Sequence, residues 1–105
     1  MGVRENKVET YLRDQIKLLG GDTRKWVSPG RDGVPDQIVF TYDTVFFCEV
    51  KTVDGSFEAG QEREHERLRV LGATVCTVYG QKGVDMLVED LRMYELVIPL
   101  RKYYG

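Results

Sequence analysis

The spacing of apolar residues divides the chain into a helix, three strands, a helix, a strand and a helix. Glu5, Glu9, Leu12, Ile16 and Leu19 recur at helical spacing and share one stripe, with Val8 beside it. Gly20-Gly21 stops this helix. Thr23–Ser28 reads as a short strand, followed by a Pro- and Gly-rich loop. Asp36–Tyr42 and Thr44–Lys51 predict two longer strands around a polar break at Tyr42, Asp43 and Thr44. Glu58–Leu71 predicts a second helix, with Gln61, His65 and Leu68 on its inward stripe and Leu71 at the edge. Its outer face carries Glu62, Arg63, Glu64, Glu66, Arg67 and Arg69, the pattern of a solvated surface. After Gly72, Ala73–Tyr79 is an apolar strand, and Gly83–Tyr94 a last helix with Val84, Leu87, Val88 and Leu91 inward. Strand, helix, strand implies a right-handed crossover, so Val45–Lys51 and Ala73–Tyr79 should be parallel neighbours. The expected fold is α/β, a mixed β-sheet flanked by helices, with residues 1–105 as a single domain.

Composition narrows the class. Hydrophobic residues make up 42% and charged residues 30%, as in ordinary globular proteins, and the net charge of −2 is not that of a nucleic-acid-coating protein. Arg4, Glu5, Lys7 and Glu9 interrupt any signal peptide, and no apolar run is long enough for a membrane span. Cys48 and Cys76 sit in apolar strands and read as reduced core residues. The expectation is a cytoplasmic protein that engages no membrane.

The chemistry concentrates between Gly30 and Lys51. A Gly-Val-Pro-Asp turn delivers Asp36 into one strand, and the next strand carries Glu49 and Lys51. A side-chain period of two puts Glu49 and Lys51 on one face and Phe46, Cys48 and Val50 on the other. If the strands pair as a hairpin, Asp36 lies near Glu49, and two carboxylates converge with an ammonium. His65 is the only histidine, which excludes a histidine-rich zinc site. Asp36 and Glu49, with the Val50 backbone carbonyl and waters, would instead suit Mg²⁺ or Mn²⁺. Such an ion activates water and neutralises developing charge on a phosphate, and Lys51 can orient the water or stabilise the transition state. The bland alternative is a Glu49–Lys51 surface ion pair. For Glu5 and Glu9 it is a favourable placement at a helix N-terminus, and for Arg31 a solvated turn.

Pro35-Asp36 followed by Glu49-Val50-Lys51 resembles the PD-(D/E)xK phosphodiesterase core, the restriction-endonuclease-like fold. The helical glutamate, Gly33-Val34-Pro35-Asp36 and Gln61-x-x-x-His65-x-x-Leu68-x-x-x-Gly72 extend the match to the virus-type replication–repair nuclease family, VRR-NUC, in its small stand-alone form. It spans roughly residues 5 to 80. The resemblance implies elements in αβββαβ order and a metal-dependent DNA endonuclease active on branched DNA, as in a bacterial or phage-infected cell. It makes Asp36 and Glu49 the metal ligands, Lys51 the catalytic lysine and Gln61 the glutamine facing the site. It also implies a helical glutamate, for which Glu9 is preferred over Glu5, with a water-mediated route to the metal. A catalytically silent DNA-binding or interaction module, or a metal-stabilised structural domain, are the competing classes. The intact Asp36, Glu49 and Lys51 set argues against both.

Assembly is the last expectation. Basic residues are scattered (Arg4, Lys7, Arg24, Lys25, Arg31, Arg63, Arg101, Lys102), too few on one surface to hold a long duplex. The C-terminal segment carries Met86, Leu87, Leu91, Met93, Tyr94, Leu96, Val97, Ile98, Leu100, Tyr103 and Tyr104, more apolar groups than a small core needs. A homodimer built partly on this segment, cutting four-way (Holliday) junctions symmetrically, accounts for both. The alternative use of the segment is to close the sheet.

Overall fold

Period-two strands and period-3.6 helices assemble into three layers. The computed structural model describes residues 3–41, 44–93 and 102–103. In chain order the elements are α1 (Val3–Leu18), β1 (Asp22–Lys25), β2 (Gln37–Phe40), β3 (Val45–Lys51), α2 (Gln61–Val70), β4 (Val75–Tyr79), α3 (Gly80–Arg92) and β5 (Lys102–Tyr103). The strands lie side by side in sequence order. β1, β2 and β3 are antiparallel, whereas β3–β4 and β4–β5 are parallel. The sheet is therefore mixed, and the crossover through α2 joins parallel neighbours as expected.

One face of the sheet packs on α1 and α3. Val39, Phe46, Cys48, Val50, Cys76 and Val78 meet Val8, Leu12 and Ile16 from α1 and Val84, Leu87 and Val88 from α3 in one core cluster. Val8 belongs to this core and not to its flank, while Leu19 is only partly covered. The i, i+4 triplet Val8, Leu12, Ile16 is the true buried stripe. Both cysteines are buried free thiols, and their mutual contact together with burial pushes Cys48 well above the usual thiol range. Fully burying a Leu or Phe side chain stabilises by about 2 kcal/mol, so Phe46, Leu12, Ile16 and Leu87 dominate this layer.

The other face carries Glu49 and Lys51 and is covered by α2. Several boundaries differ from the pattern-based expectation. β1 ends at Lys25, although Trp26 N–H still donates to the Asp36 carbonyl at 2.9 Å. α2 begins only at Gln61, because Gly60 takes a left-handed conformation. α3 begins at Gly80, directly after β4, which removes a loop that the sequence pattern had implied. Glu64, expected on the solvated side of α2, is buried, and Leu71, expected at the inward edge, is 82% exposed. Arg69 also turns inward and donates to the Val75 carbonyl at 3.0 Å. Of the C-terminal segment, Leu87 is core, Leu91 packs against the core, and Met86 and Met93 are exposed. Lys102–Tyr103 pairs with β4, which extends the sheet by an edge strand. Residues 94–101, 104 and 105, which carry the rest of the expected dimer surface, lie outside the described residues, as do Tyr42 and Asp43. No helix among the described residues is long and apolar enough to cross a membrane.

Candidate active site

The site is assembled by sheet register. Gln37 lies opposite Cys48 in the β2–β3 pairing, so Asp36, one residue earlier, falls opposite Glu49. The Val50 N–H donates to Asp36 Oδ2 at 3.0 Å and ties the carboxylate to β3. The turn that delivers Asp36 depends on Gly33, whose φ is +87°. A Cβ there would stand 2.9 Å from the Gly60 carbonyl oxygen and 3.1 Å from Glu64 Cβ. Only glycine lets the turn press against the start of α2 without strain.

Gln61 joins the remaining groups. Its Nε2 donates to Glu49 Oε2 at 3.1 Å, and its Oε1 accepts from Lys51 Nζ at 2.9 Å and from the Glu58 N–H at 2.7 Å. Lys51 Nζ lies 3.5 Å from Glu49 Oε2 and 5.6 Å from the centroid of the Phe57 ring. Both Glu49 and Lys51 are buried. The pair is therefore not a solvated edge-strand ion pair. The second Glu49 oxygen, Oε1, accepts no hydrogen bond, and His65 Nε2 stands 3.6 Å from it.

Electrostatics follow from this crowding. Burial first, then the charge of Glu49, push Asp36 up to about 7, against the opposing hydrogen bond from Val50. Glu9 is also raised, chiefly by burial. Its Oε1 accepts from Gln37 Nε2 at 2.9 Å and faces Lys25 Nζ at 3.7 Å, while its Oε2 is buried without a partner. Uncompensated carboxylate oxygens in a buried site are costly. They are the arrangement that a divalent cation neutralises.

A solved VRR_NUC domain superposes with a TM-score of 0.77 at 38% identity, covering 84% of this chain and 97% of that one. The chain is likewise 38% identical over 80 residues to the protein named "Putative nuclease p44" of Acyrthosiphon pisum secondary endosymbiont phage 1, an alignment covering 75% of this chain and 86% of that protein. The chain belongs to the VRR-NUC family. No protein-family model matches it. Its mixed sheet with flanking helices is the fold that the motif resemblance implied.

Within this VRR-NUC chain, Asp36, Glu49 and Lys51 come together as the strand spacing predicts, and Gln61 meets them as the resemblance implied. From α1 the charge of Glu9 adds to the upward push on Asp36, and the charge of Glu5, one turn earlier, adds to that on Glu9. The Val50 amide serves Asp36, and its side chain lies in the opposite core. Sequence reasoning missed two participants. Gln37, which holds Glu9, follows Asp36 directly but has no motif of its own. His65 is buried against Glu49, stands edge-on to Phe57 with ring centroids 5.5 Å apart, and has both ring nitrogens without a hydrogen bond. Its position four residues after Gln61, on the same helical stripe, was the available signal. Arg31 is exposed, as a loop residue would be, yet its guanidinium also meets buried Glu64 at 3.3 Å, as that of Arg67 does.

Proposed function

We propose that this VRR-NUC nuclease is a Mg²⁺- or Mn²⁺-dependent DNA endonuclease that acts on branched DNA, four-way junctions included, as a homodimer. The observation that carries the metal dependence is the convergence of Asp36 and Glu49 on one buried spot where Glu49 Oε1 has no hydrogen-bond partner. Among the described residues no three His, Cys, Asp or Glu side chains form a ready-made cage. A cation held by Asp36 and Glu49 would therefore complete its shell with the Val50 carbonyl, water and substrate phosphate, as Mg²⁺ commonly does. When bound, it would supply Lewis-acid activation of water and neutralise charge developing on the phosphate.

The chain's own residues do the rest. Gln61 holds Glu49 and Lys51 in a fixed relation, with its carbonyl toward the ammonium and its amide toward the carboxylate. Lys51 Nζ is thus aimed beside the carboxylates, where it can orient the attacking water or stabilise the charge that forms on the phosphate oxygens. Phe57 covers the ammonium and limits its hydration. Glu9, held by Gln37, adds a second tier of negative charge behind Asp36.

Branched DNA and dimerisation rest on charge and surface. Arg4, Arg24, Lys25 and Arg31 each already face a carboxylate, which leaves a small basic footprint on one copy. Arg4, Lys7 and Lys82 line a cavity of about 480 Å³ beside Thr52 and Val53, immediately after Lys51. Two copies about a two-fold axis double that footprint and match the approximate two-fold symmetry of a junction. Met86 on α3 and Met93 just beyond its end supply exposed apolar surface for such an interface. The test is incubation with labelled linear, flapped and four-way-junction DNA in Mg²⁺, Mn²⁺ or EDTA, with light scattering in parallel. Junction cleavage that needs metal, by a particle of twice the monomer mass, is expected. Absence of cutting in either metal would overturn the endonuclease assignment. A monomer that cuts linear duplex as fast as junctions would overturn the assembly.

A further inference from the structure

We infer, on the basis of the nuclease reading, that the cleft beside Trp26 is a subsite for an unpaired nucleotide next to the scissile phosphate. Its chemical class is a single DNA strand with an accessible base. Trp26 N–H donates to the Asp36 carbonyl, which places Trp26 opposite Asp36 in the β1–β2 ladder. Directly opposed residues of antiparallel strands point to the same face, with Cβ atoms about 5 Å apart. Trp26, Asp36 and Glu49 therefore form one row across the sheet under α2. One flank of the Trp26 ring leans on Phe47, with centroids 4.8 Å apart and planes at 39°. The ring also lines an open cleft of about 800 Å³.

The opposite wall of that cleft carries three guanidiniums against two carboxylates, Glu64 and Glu66. Arg31, Arg63 and Arg67 line it, and Arg31 and Arg67 are held in place by a shared contact to buried Glu64 Oε1, 3.3 Å from each. Glu66, also on the wall, is engaged by Arg69 at 3.6 Å. Guanidinium groups beside an aromatic ring are the chemistry of single-strand recognition: arginines follow the phosphates and the ring stacks a base. Val70 and Leu71, 78% and 82% exposed, form an apolar lip at the C-terminal end of α2. A base inside an intact duplex is stacked on both sides and cannot reach this ring. A base in a flap, or one that unpairs at a branch point, can. The subsite thus gives a physical source for branched-DNA preference that the carboxylates themselves lack. The row shared with Asp36 and the arginine wall favour a nucleic-acid strand over a second copy of the chain as the occupant.

Trp26 is the only tryptophan in the chain, so its fluorescence reports on this cleft alone. The unmodified protein, in EDTA so that no strand is cut, is titrated with a short single strand, a flapped duplex and a blunt duplex, each also labelled for anisotropy. Saturable quenching by the single strand and flap, but not by the blunt duplex, is expected. The same strand carrying abasic sites should bind about tenfold more weakly, the loss that one base–aromatic stack commonly produces. Trp26→Ala should show the same loss for flapped DNA and none for blunt duplex. Arg63→Ala, exposed and outside the Phe47 contact, should lower the salt dependence of single-strand binding by about 0.7 in log–log slope. Binding with unchanged fluorescence and no abasic effect overturns the subsite while leaving the nuclease reading intact. A fluorescence change that follows protein concentration alone shows that a second copy fills the cleft and overturns it too. Absence of both DNA binding and cleavage overturns the nuclease reading together with the subsite.

Discussion

Replacing Asp36 by Asn probes the site without altering its shape. The Asn side-chain oxygen can still accept the Val50 N–H that Asp36 Oδ2 now accepts at 3.0 Å. What disappears is a charge that burial and Glu49 make unfavourable, holding this carboxyl at about 7 against an ordinary 3.8. Because the folded pKa lies above the unfolded one, the folded protein binds the extra proton, and stability falls as pH rises. The penalty is absent below about 3.8, grows through the window up to about 7 and is complete above it. At pH 8 it amounts to at most about 4 kcal/mol. Asp36 is partly exposed, so solvent screening reduces the expectation to about 2 kcal/mol. In metal-free buffer Asp36→Asn should therefore melt about 10 °C above the parent at pH 8 and near the parent at pH 4. Thermal and urea unfolding in EDTA across pH 4 to 8 would measure this. Adding Mg²⁺ or Mn²⁺ should then stabilise the parent and not the variant, since only the parent keeps both carboxylates. A variant no more stable than the parent at pH 8, or a difference that does not grow with pH, would refute the electrostatic account.

The other consequences concern single positions. Lys51→Ala should lose at least about a hundredfold in turnover while keeping DNA affinity in EDTA, because the ammonium acts on water or the transition state; equal losses in both would make it a phosphate-binding residue. Glu9→Gln should lower cleavage more than Glu5→Gln, since Glu9 is the helical carboxylate that Gln37 holds and that keeps a buried oxygen without a partner, and the reverse order in a rate assay would transfer the role to Glu5. Gly33→Ala should destabilise by about 1–3 kcal/mol in urea melts and reduce cleavage, because a non-glycine residue at φ +87° is strained and its Cβ meets the Gly60 carbonyl. An unchanged midpoint would mean that the turn moves freely.

Local pattern was enough for much of this protein. The period of two on VFFCEVK determined that Glu49 and Lys51 share a face, and that Phe46, Cys48 and Val50 take the other. The hairpin placed Asp36 beside Glu49, and the strand–helix–strand order required the parallel pairing of β3 and β4. These are short-range consequences of chain geometry, so residue order alone carries them. What the pattern misassigned lies where side chains from distant elements meet. Glu64 reads as a solvated helix position, yet Arg31 from a loop 33 residues away and Arg67 cover it. Leu71 reads as inward, but α2 ends one residue before it and the side chain emerges. Gln37 and Glu9 meet across 28 residues, and Trp26 stands beside Asp36 only because β1 docks on β2 in that register. His65 reads as inward on the stripe of Gln61, but that it meets Glu49 follows only from how α2 lies on the sheet. Composition and periodicity say which face a side chain takes. Only the register of the strands and the docking of α2 decide which other side chain it meets there, because those contacts depend on packing summed over the whole chain.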